Sequence, residues 1–473
     1  MSYSSLLGAL CLLLTTGLAP LGLAQTRRPE ARLELGFQGE VVAERWNPLR
    51  LETRDVVGAE LNVFIDQGSL KEGETLAAYQ RGLELSGGVA VVTDELFIPT
   101  WRSFVWQFGD ESELVASGAL DRRRLNPQRL TLLLSANPSR WREVFPDARL
   151  VEVDSSRLPE RLVAYDGVER VVLDGSTAAP APEVLVAAAS AGATVLLVEP
   201  LPESYRELQR LAGSQPLRLG AGWLVRTEAA GMTETLNELP LVGGVPSDLA
   251  ALVEPPASLT GLTQLPVLVG AALYVVLTLA LLRLAGTPGL LTSLALAGVA
   301  SVGAWSYLRP AGAQSFSETT LTVGGGALAR RETFRSVLTL PSYELKLEQA
   351  ARPLQQRPYF HREDGLELSL ERWSRVDLLE RPRLVEASLQ WRSGRLHNAG
   401  RVPLSGVYVK GLGPQADLGP GASLSPVPSE DAALSELVTA LLEAVPNGTA
   451  LAVADNAYHL SLPPYAESVA LTP

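Results

Sequence analysis

Three kinds of hydrophobic pattern follow one another along the chain. Between residues 31 and 125, apolar and polar positions alternate in short runs, among them ARLELGFQGEVV, LRLETRD, AELNVFID and SFVWQFGD, with Gly, Asn-Pro and Asp between them. A period of two marks strands with one face buried and the other wet, and the turn spacing predicts a small antiparallel β-sandwich over 26–127. From residue 129 the alternation disappears. LTLLLS (130–135), ARLVEVD (148–154), RVVLDG (170–175) and ATVLLVEP (193–200) are compact apolar runs, as expected of parallel strands covered on both faces. Segments of helical composition separate them at 139–145, 181–192 and 202–213, with Pro182 suited to a first helical turn and Gly192 to a stop. Strand and helix in alternation predict a doubly wound α/β domain over 128–240, followed by a linker at 241–262.

The third pattern is continuous apolarity. Residues 6–24 end in Gly22-Leu23-Ala24, small residues that suit signal-peptidase cleavage after Ala24, so 1–24 is expected to be a signal peptide. Residues 265–282 and 289–308 carry no charge, and only Arg283 to Pro288 separates them. Two such runs predict an antiparallel transmembrane hairpin over 263–309, with the bilayer as a partner. The expected location is therefore the bacterial inner membrane, with both flanking regions outside the cytoplasm. Neither run contains an ionisable side chain, which excludes an ion path or proton relay.

Over 310–473 the strand pattern returns in TFRSVLTL, YELKLEQ, GLELSLERW and LSGVYVKGL, with Asn398-Ala399-Gly400 and Gly419-Pro420-Gly421 as turns. Ser429 is expected to cap one helix, SEDAALSELVTALLEAV, ahead of the stop at Pro446-Asn447-Gly448. The fold class so predicted is multidomain: an N-terminal β-sandwich, an α/β doubly wound domain, a two-helix hairpin and a C-terminal β-rich domain with one helix.

Composition removes several chemistries. With 52 acidic against 40 basic residues the net charge is −12, which excludes nucleic acid as a partner, because phosphate contacts need clustered cations. The sole cysteine, Cys11, lies in the first apolar run, so a processed chain would contain no disulfide, thiolate metal site or cysteine nucleophile.

The run LPERLVAYDGVERVVLDGS, followed by a helix and then AGATVLLVEP, resembles the class I glutamine amidotransferase-like domains of membrane-anchored bacterial envelope proteins, over 128–240. The stretch SGRLHNAGRVPLSGVYVKGLGPQADLGPGASLS resembles a β-sandwich repeat of bacterial envelope proteins. The first resemblance implies a doubly wound fold in which active members carry a cysteine on a strand-to-helix elbow, paired with a histidine and a carboxylate. Here the domain has no cysteine and no G-x-S-x-G elbow, and His361, His397 and His459 all lie beyond residue 310. His361, beside Arg362, Glu363 and Asp364, is expected in a loop.

Asp154, Ser155, Asp174 and Glu199 stand where parallel strands end, the place at which such a fold holds a ligand. They form the candidate binding set. Their spacing matches no metal-ligand pattern, and no cofactor is expected. The sequence thus points to a non-catalytic envelope binding or assembly scaffold with an envelope protein as partner. The alternative is a hydrolase joining a serine or aspartate of the α/β domain to His361 or His459, which requires a histidine nitrogen within hydrogen-bond reach of an exposed serine.

Overall fold

The computed structural model describes residues 29–239, 274–298 and 314–465, apart from 67–74, 101–102, 111–112, 285, 290, 340–342, 349, 355–356, 363–364, 372–373 and 431–432. The expected signal peptide at 1–24 and linker at 241–262 lie outside the described residues.

The alternating N-terminal runs become strands β1 (Glu30–Leu35), β2 (Arg45–Arg54), β3 (Val57–Asp66), β4 (Thr75–Ser86), β5 (Val89–Ile98), β6 (Ser103–Gly109) and β7 (Leu114–Ala119). β1, β2 and β5 form a three-stranded antiparallel sheet. β4, β3, β6 and β7 lie side by side in a second sheet, and Leu49, Leu51 and Ile98 of the first share an apolar core with Leu61, Val63 and Phe104 of the second.

The compact apolar runs become β8 (Leu130–Leu134), β9 (Arg149–Glu152), β10 (Val168–Leu173), β11 (Thr194–Glu199) and β13 (Gly222–Glu228), with β12 (Leu217–Leu219) as an edge strand. Their order is β9-β8-β10-β11-β13-β12, parallel except for β12. Helices α1 (Pro138–Val144), α2 (Pro182–Ala191), α3 (Arg206–Ala212) and α4 (Met232–Glu238) fall between or after these strands. Successive residues serve opposite faces. Leu132, Leu134, Val171, Leu173 and Val195 pack with Leu185 and Ala188 of α2, whereas Leu133, Val172 and Leu196 pack with Trp141, Phe145 and Met232. Both faces are dry, which is why the sequence shows no alternation here. The first face also carries Phe37, Val42, Trp46 and Phe97, so the N-terminal sheets seal one side of the α/β layer.

Beyond residue 314 the chain forms β14 (Gln314–Gly325), β15 (Leu328–Thr339), β16 (Tyr343–Leu347), β17 (Tyr359–Arg362), β18 (Gly365–Leu370) and β19 (Ser374–Glu380). β17 pairs parallel with β4, Tyr359 opposite Ala77 and His361 opposite Tyr79. The second N-terminal sheet is thereby seven strands wide, in the order β16-β18-β17-β4-β3-β6-β7. Leu345, Leu366, Leu368 and Val376 belong to the same core as the N-terminal strands. β14, β15 and β19 lie in a nine-stranded sheet with Ser405–Val409, Ala450–Ala454 and Ala457–Ser461. The two regions that flank the α/β layer in sequence are therefore interleaved in space.

Two expectations need correction. Among the described residues no helix is long and apolar enough to cross a membrane, so the transmembrane hairpin at 263–309 and the inner-membrane location drawn from it are not supported. Helix is present in that region at 274–284, 286–289 and 291–298. The C-terminal helix is also shorter than expected, running from Glu436 to Glu443, and its cap is Ser435, whose hydroxyl accepts from the Val438 amide at 3.3 Å. Ser429 instead donates to the carbonyls of Leu412 and Pro414.

Candidate functional site

In the α/β sheet the chain runs outward from β8 to β9 on one side and to β10 on the other, so the carboxyl ends of β8 and β10 flank the switch point where such folds open a crevice. Asp174 follows β10 there. Its Oδ2 accepts from Ser135 Oγ at 2.5 Å and from Trp141 Nε1 at 3.3 Å, and its Oδ1 from Ser176 Oγ at 2.5 Å and the Ser176 amide at 3.0 Å. The serines in turn accept from backbone, Ser135 Oγ from the Asn137 amide and Ser176 Oγ from the Ala136 amide. Partial burial raises the Asp174 pKa, but the bonds from Ser135 and Ser176 more than offset it and hold the carboxyl below its usual range. A carboxylate so stabilised is a poor base, and both hydroxyl protons are already committed to it. The cluster staples the 135–137 loop to the 174–176 loop across the mouth of the crevice.

The other residues of the candidate set lie elsewhere. Asp154 caps the short turn Ser155–Arg157 at the end of edge strand β9, accepting from the Ser156 amide and Oγ, both at 2.9 Å; these bonds lower its pKa. Ser155 opens that turn. Glu199, at the end of β11, accepts from Arg226 Nε at 2.9 Å. Asp154 with Ser155, Asp174 and Glu199 thus occupy three separate strand ends, each closed by a local partner, and do not converge on one ligand position.

The histidines are equally separate. His361 is in strand β17, not a loop, buried edge-on against Trp46 and Tyr359 at ring distances of 5.9 and 5.2 Å. Burial, aided by the positive charge of Arg381, pushes its pKa down to about 4, so the ring is neutral at pH 7. His459 Nδ1 meets Thr322 Oγ1 at 2.8 Å, and burial lowers its pKa too. His397 Nδ1 meets Ser423 Oγ at 2.9 Å across an antiparallel strand pair. That contact is a cross-strand neighbour pair in a sheet separate from the parallel one, and no carboxylate among the described residues hydrogen-bonds its imidazole. No described histidine hydrogen-bonds a serine or carboxylate of the α/β sheet, and no group of three metal-ligating side chains occurs among the described residues.

A cleft of about 460 Å³ lies where the three-stranded sheet meets the turns after β9. Glu34, Asp94 and Glu95 line one wall, and Ser156, Arg157 and Arg161 the other. Arg157 reaches Glu34 at 3.2 Å and Arg161 reaches Glu95 at 3.3 Å, so the walls are clasped by ion pairs whose arginines stay partly exposed. Asp94 accepts from Tyr79 Oη at 2.6 Å and Arg81 Nη1 at 3.1 Å, and burial together with this carboxylate drives the phenol well above its usual pKa. Burial raises the pKa of Glu95, against the pull of Arg381. This acidic pair was missed by sequence reasoning, although a signal existed. Asp94 and Glu95 are consecutive charges inside the apolar run VVTDELFIP, and only a strand with both faces covered buries two successive side chains to 5% and 4% exposure.

No protein-family model matches the chain, and no curated protein matches it. Among solved structures, the chain aligns with β-glucuronidase 2 of Bacteroides uniformis at 12% identity over 40% of this chain and 26% of that one, with a TM-score of 0.15. A β-glucuronidase of glycoside hydrolase family 2 aligns at 12% identity over 39% and 22% of the two chains, with a TM-score of 0.14. The chain spans about a quarter of the length of these enzymes, and at such scores the likeness says nothing about fold or activity.

Proposed function

We propose that the protein is a non-catalytic binding scaffold whose ligand surface is the cleft between the three-stranded sheet and the α/β layer. The observation that carries this reading is the pairing across the cleft: acids on one wall and partly exposed arginines on the other. Such walls suit a polar ligand carrying both charges, which would exchange the Arg157–Glu34 and Arg161–Glu95 pairs for its own. The doubly wound order of the parallel sheet supports the amidotransferase-like reading of 128–240, and the saturated Asp174 cluster supports the view that this layer performs no hydrolysis.

The test is a thermal-shift panel of amino acids and dipeptides on the full chain beside its Ser156→Trp variant, which fills the cleft from an exposed position. A ligand that raises the melting temperature of the natural chain and not of the variant sustains the proposal. Turnover of ester, amide or glycoside substrates that is lost in Ser135→Ala or His397→Ala would overturn it in favour of the hydrolase.

A further inference from the structure

Asp166 lies on the turn before β10, at the meeting of the α/β layer, the N-terminal sheets and β15. Arg330 of β15 spends its whole fork there: Nε donates to Glu332 Oε1 at 2.8 Å, Nη1 to the Ala191 carbonyl at 3.0 Å and Nη2 to Asp166 Oδ1 at 2.8 Å. The second carboxylate oxygen of Asp166 accepts from the Trp46 amide at 3.3 Å. Three further guanidinium groups line the same cavity, those of Arg45, Arg129 and Arg352. Arg45 is 3.9 Å from Asp166 Oδ1, beyond hydrogen-bond range. Arg129 has no hydrogen bond or ion pair to a described residue, and Arg352 has only the face of Phe97, 4.3 Å from its guanidinium carbon. Burial lowers the pKa of both.

The charges do not balance. Among the lining residues four arginines face three carboxylates, Asp166, Glu332 and Glu44, leaving one positive charge in excess, and outside the lining Glu169 adds a weaker pull on Arg129. Glu44 is exposed and already accepts from the Thr100 amide at 2.6 Å and Oγ1 at 2.9 Å, which weakens its hold on the interior cations. Arg129 and Arg352 are half-buried, and a guanidinium partly withdrawn from water without a counter-ion is unfavourable. The cavity holds about 70 Å³, room for one small inorganic oxyanion.

We propose that this cavity is a binding site for a single tetrahedral oxyanion, phosphate or sulfate, held by Arg129 and Arg352 with Arg45 as third donor. Three guanidinium forks from three segments of the chain offer more donors than the two oxygens of a carboxylate accept, and a tetrahedral anion can take them all. Because the donors come from β2, from the residue before β8 and from the strand Ala351–Pro353, the bound anion cross-links layers that are remote in sequence. The cavity shares no lining residue with the cleft proposed above, so the two proposals stand or fall separately.

The test is thermal unfolding of the full chain at constant ionic strength as sodium chloride is replaced stepwise by sodium phosphate or sodium sulfate. The natural chain is expected to show a saturable rise in melting temperature, and Arg129→Gln and Arg352→Gln each to weaken the apparent affinity at least tenfold. Arg157→Gln, in the cleft, is expected to keep the full response. In chloride, Arg129→Gln is expected to melt no lower than the natural chain, because it removes an uncompensated charge; this separates loss of the site from loss of the fold. A matching response to glycerol 3-phosphate would assign the site to a phosphate carried on a larger molecule, and its absence to the free anion. No saturable response to either inorganic anion, or one that survives in the Arg129→Gln/Arg352→Gln double variant, would mean that water alone fills the cavity and would overturn the proposal.

Discussion

Replacing Asp166 by alanine tests whether the layers are held together by charge as well as by apolar contact. Asp166 is 5% exposed, and its Oδ1 is 2.8 Å from Arg330 Nη2. At an effective dielectric constant of about 20, that separation corresponds to roughly 6 kcal/mol of attraction before desolvation is subtracted. What truncation removes is smaller in one respect and larger in another. Arg330 keeps Glu332, but Arg45 loses its ion pair, and the Trp46 amide loses its acceptor. Breaking one side of a buried pair costs about 3–5 kcal/mol, which is the expected loss for Asp166→Ala in chloride buffer at pH 7. The assay is urea unfolding followed by tryptophan fluorescence, with Trp46 next to the site as a local reporter. Asp166→Asn keeps the shape and removes only the charge, so it supplies the pH test. Burial raises the Asp166 pKa, but the charges of Arg330 and Arg45 pull it below the carboxylate range. A folded pKa below the unfolded value of about 3.9 gives stability that is present above pH 4 and is lost as pH falls through the folded pKa. The gap between the natural chain and Asp166→Asn should therefore be constant near neutrality and shrink below pH 4. A loss under 1 kcal/mol for Asp166→Ala, or a gap that widens in acid, would refute the reasoning.

His361→Phe is expected to flatten the acid side of the stability profile between pH 6.5 and pH 4: the buried imidazole stays neutral to about pH 4 while the unfolded chain takes up its proton near 6.5. At about 1.4 kcal/mol per pKa unit the natural chain should lose about 3 kcal/mol over that interval, and denaturant melts of the two proteins at pH 7 and pH 4 would reveal it. Ser435→Ala should cost about 1 kcal/mol through the lost helix cap, a difference readable in urea midpoints, whereas Ser429→Ala should leave the helix signal in circular dichroism unchanged.

The cap shows where local reasoning fails. Ser429 and Ser435 both precede acidic and apolar residues in the same stretch, and nothing within a few residues of either tells which one turns the chain into the helix. Packing decides it. Ser429 is held by the Leu412 and Pro414 carbonyls, which the turn after Ser405–Val409 brings to it. The strand-end residues show the same limit from another side: their positions were readable, but the carboxylates of Asp154, Asp174 and Glu199 each find a local partner, Ser156, Ser135 and Arg226 in turn, that removes them from any common site.

What the amino-acid order determined alone is whatever one segment can specify. The unbroken apolar runs of β8, β10 and β11 demand cover on both faces, and Pro182 with Gly192 bounds α2, because these effects act within a few residues. Only the tertiary structure decided that β17 would extend the sheet begun by β4, and that Arg45, Arg129, Arg330 and Arg352 would crowd one cavity. Strand edges pair with any extended partner of compatible register, and arginines hundreds of residues apart carry no mark of their neighbours. The choice is made when the apolar faces close on one another and leave a single arrangement in which they are all buried.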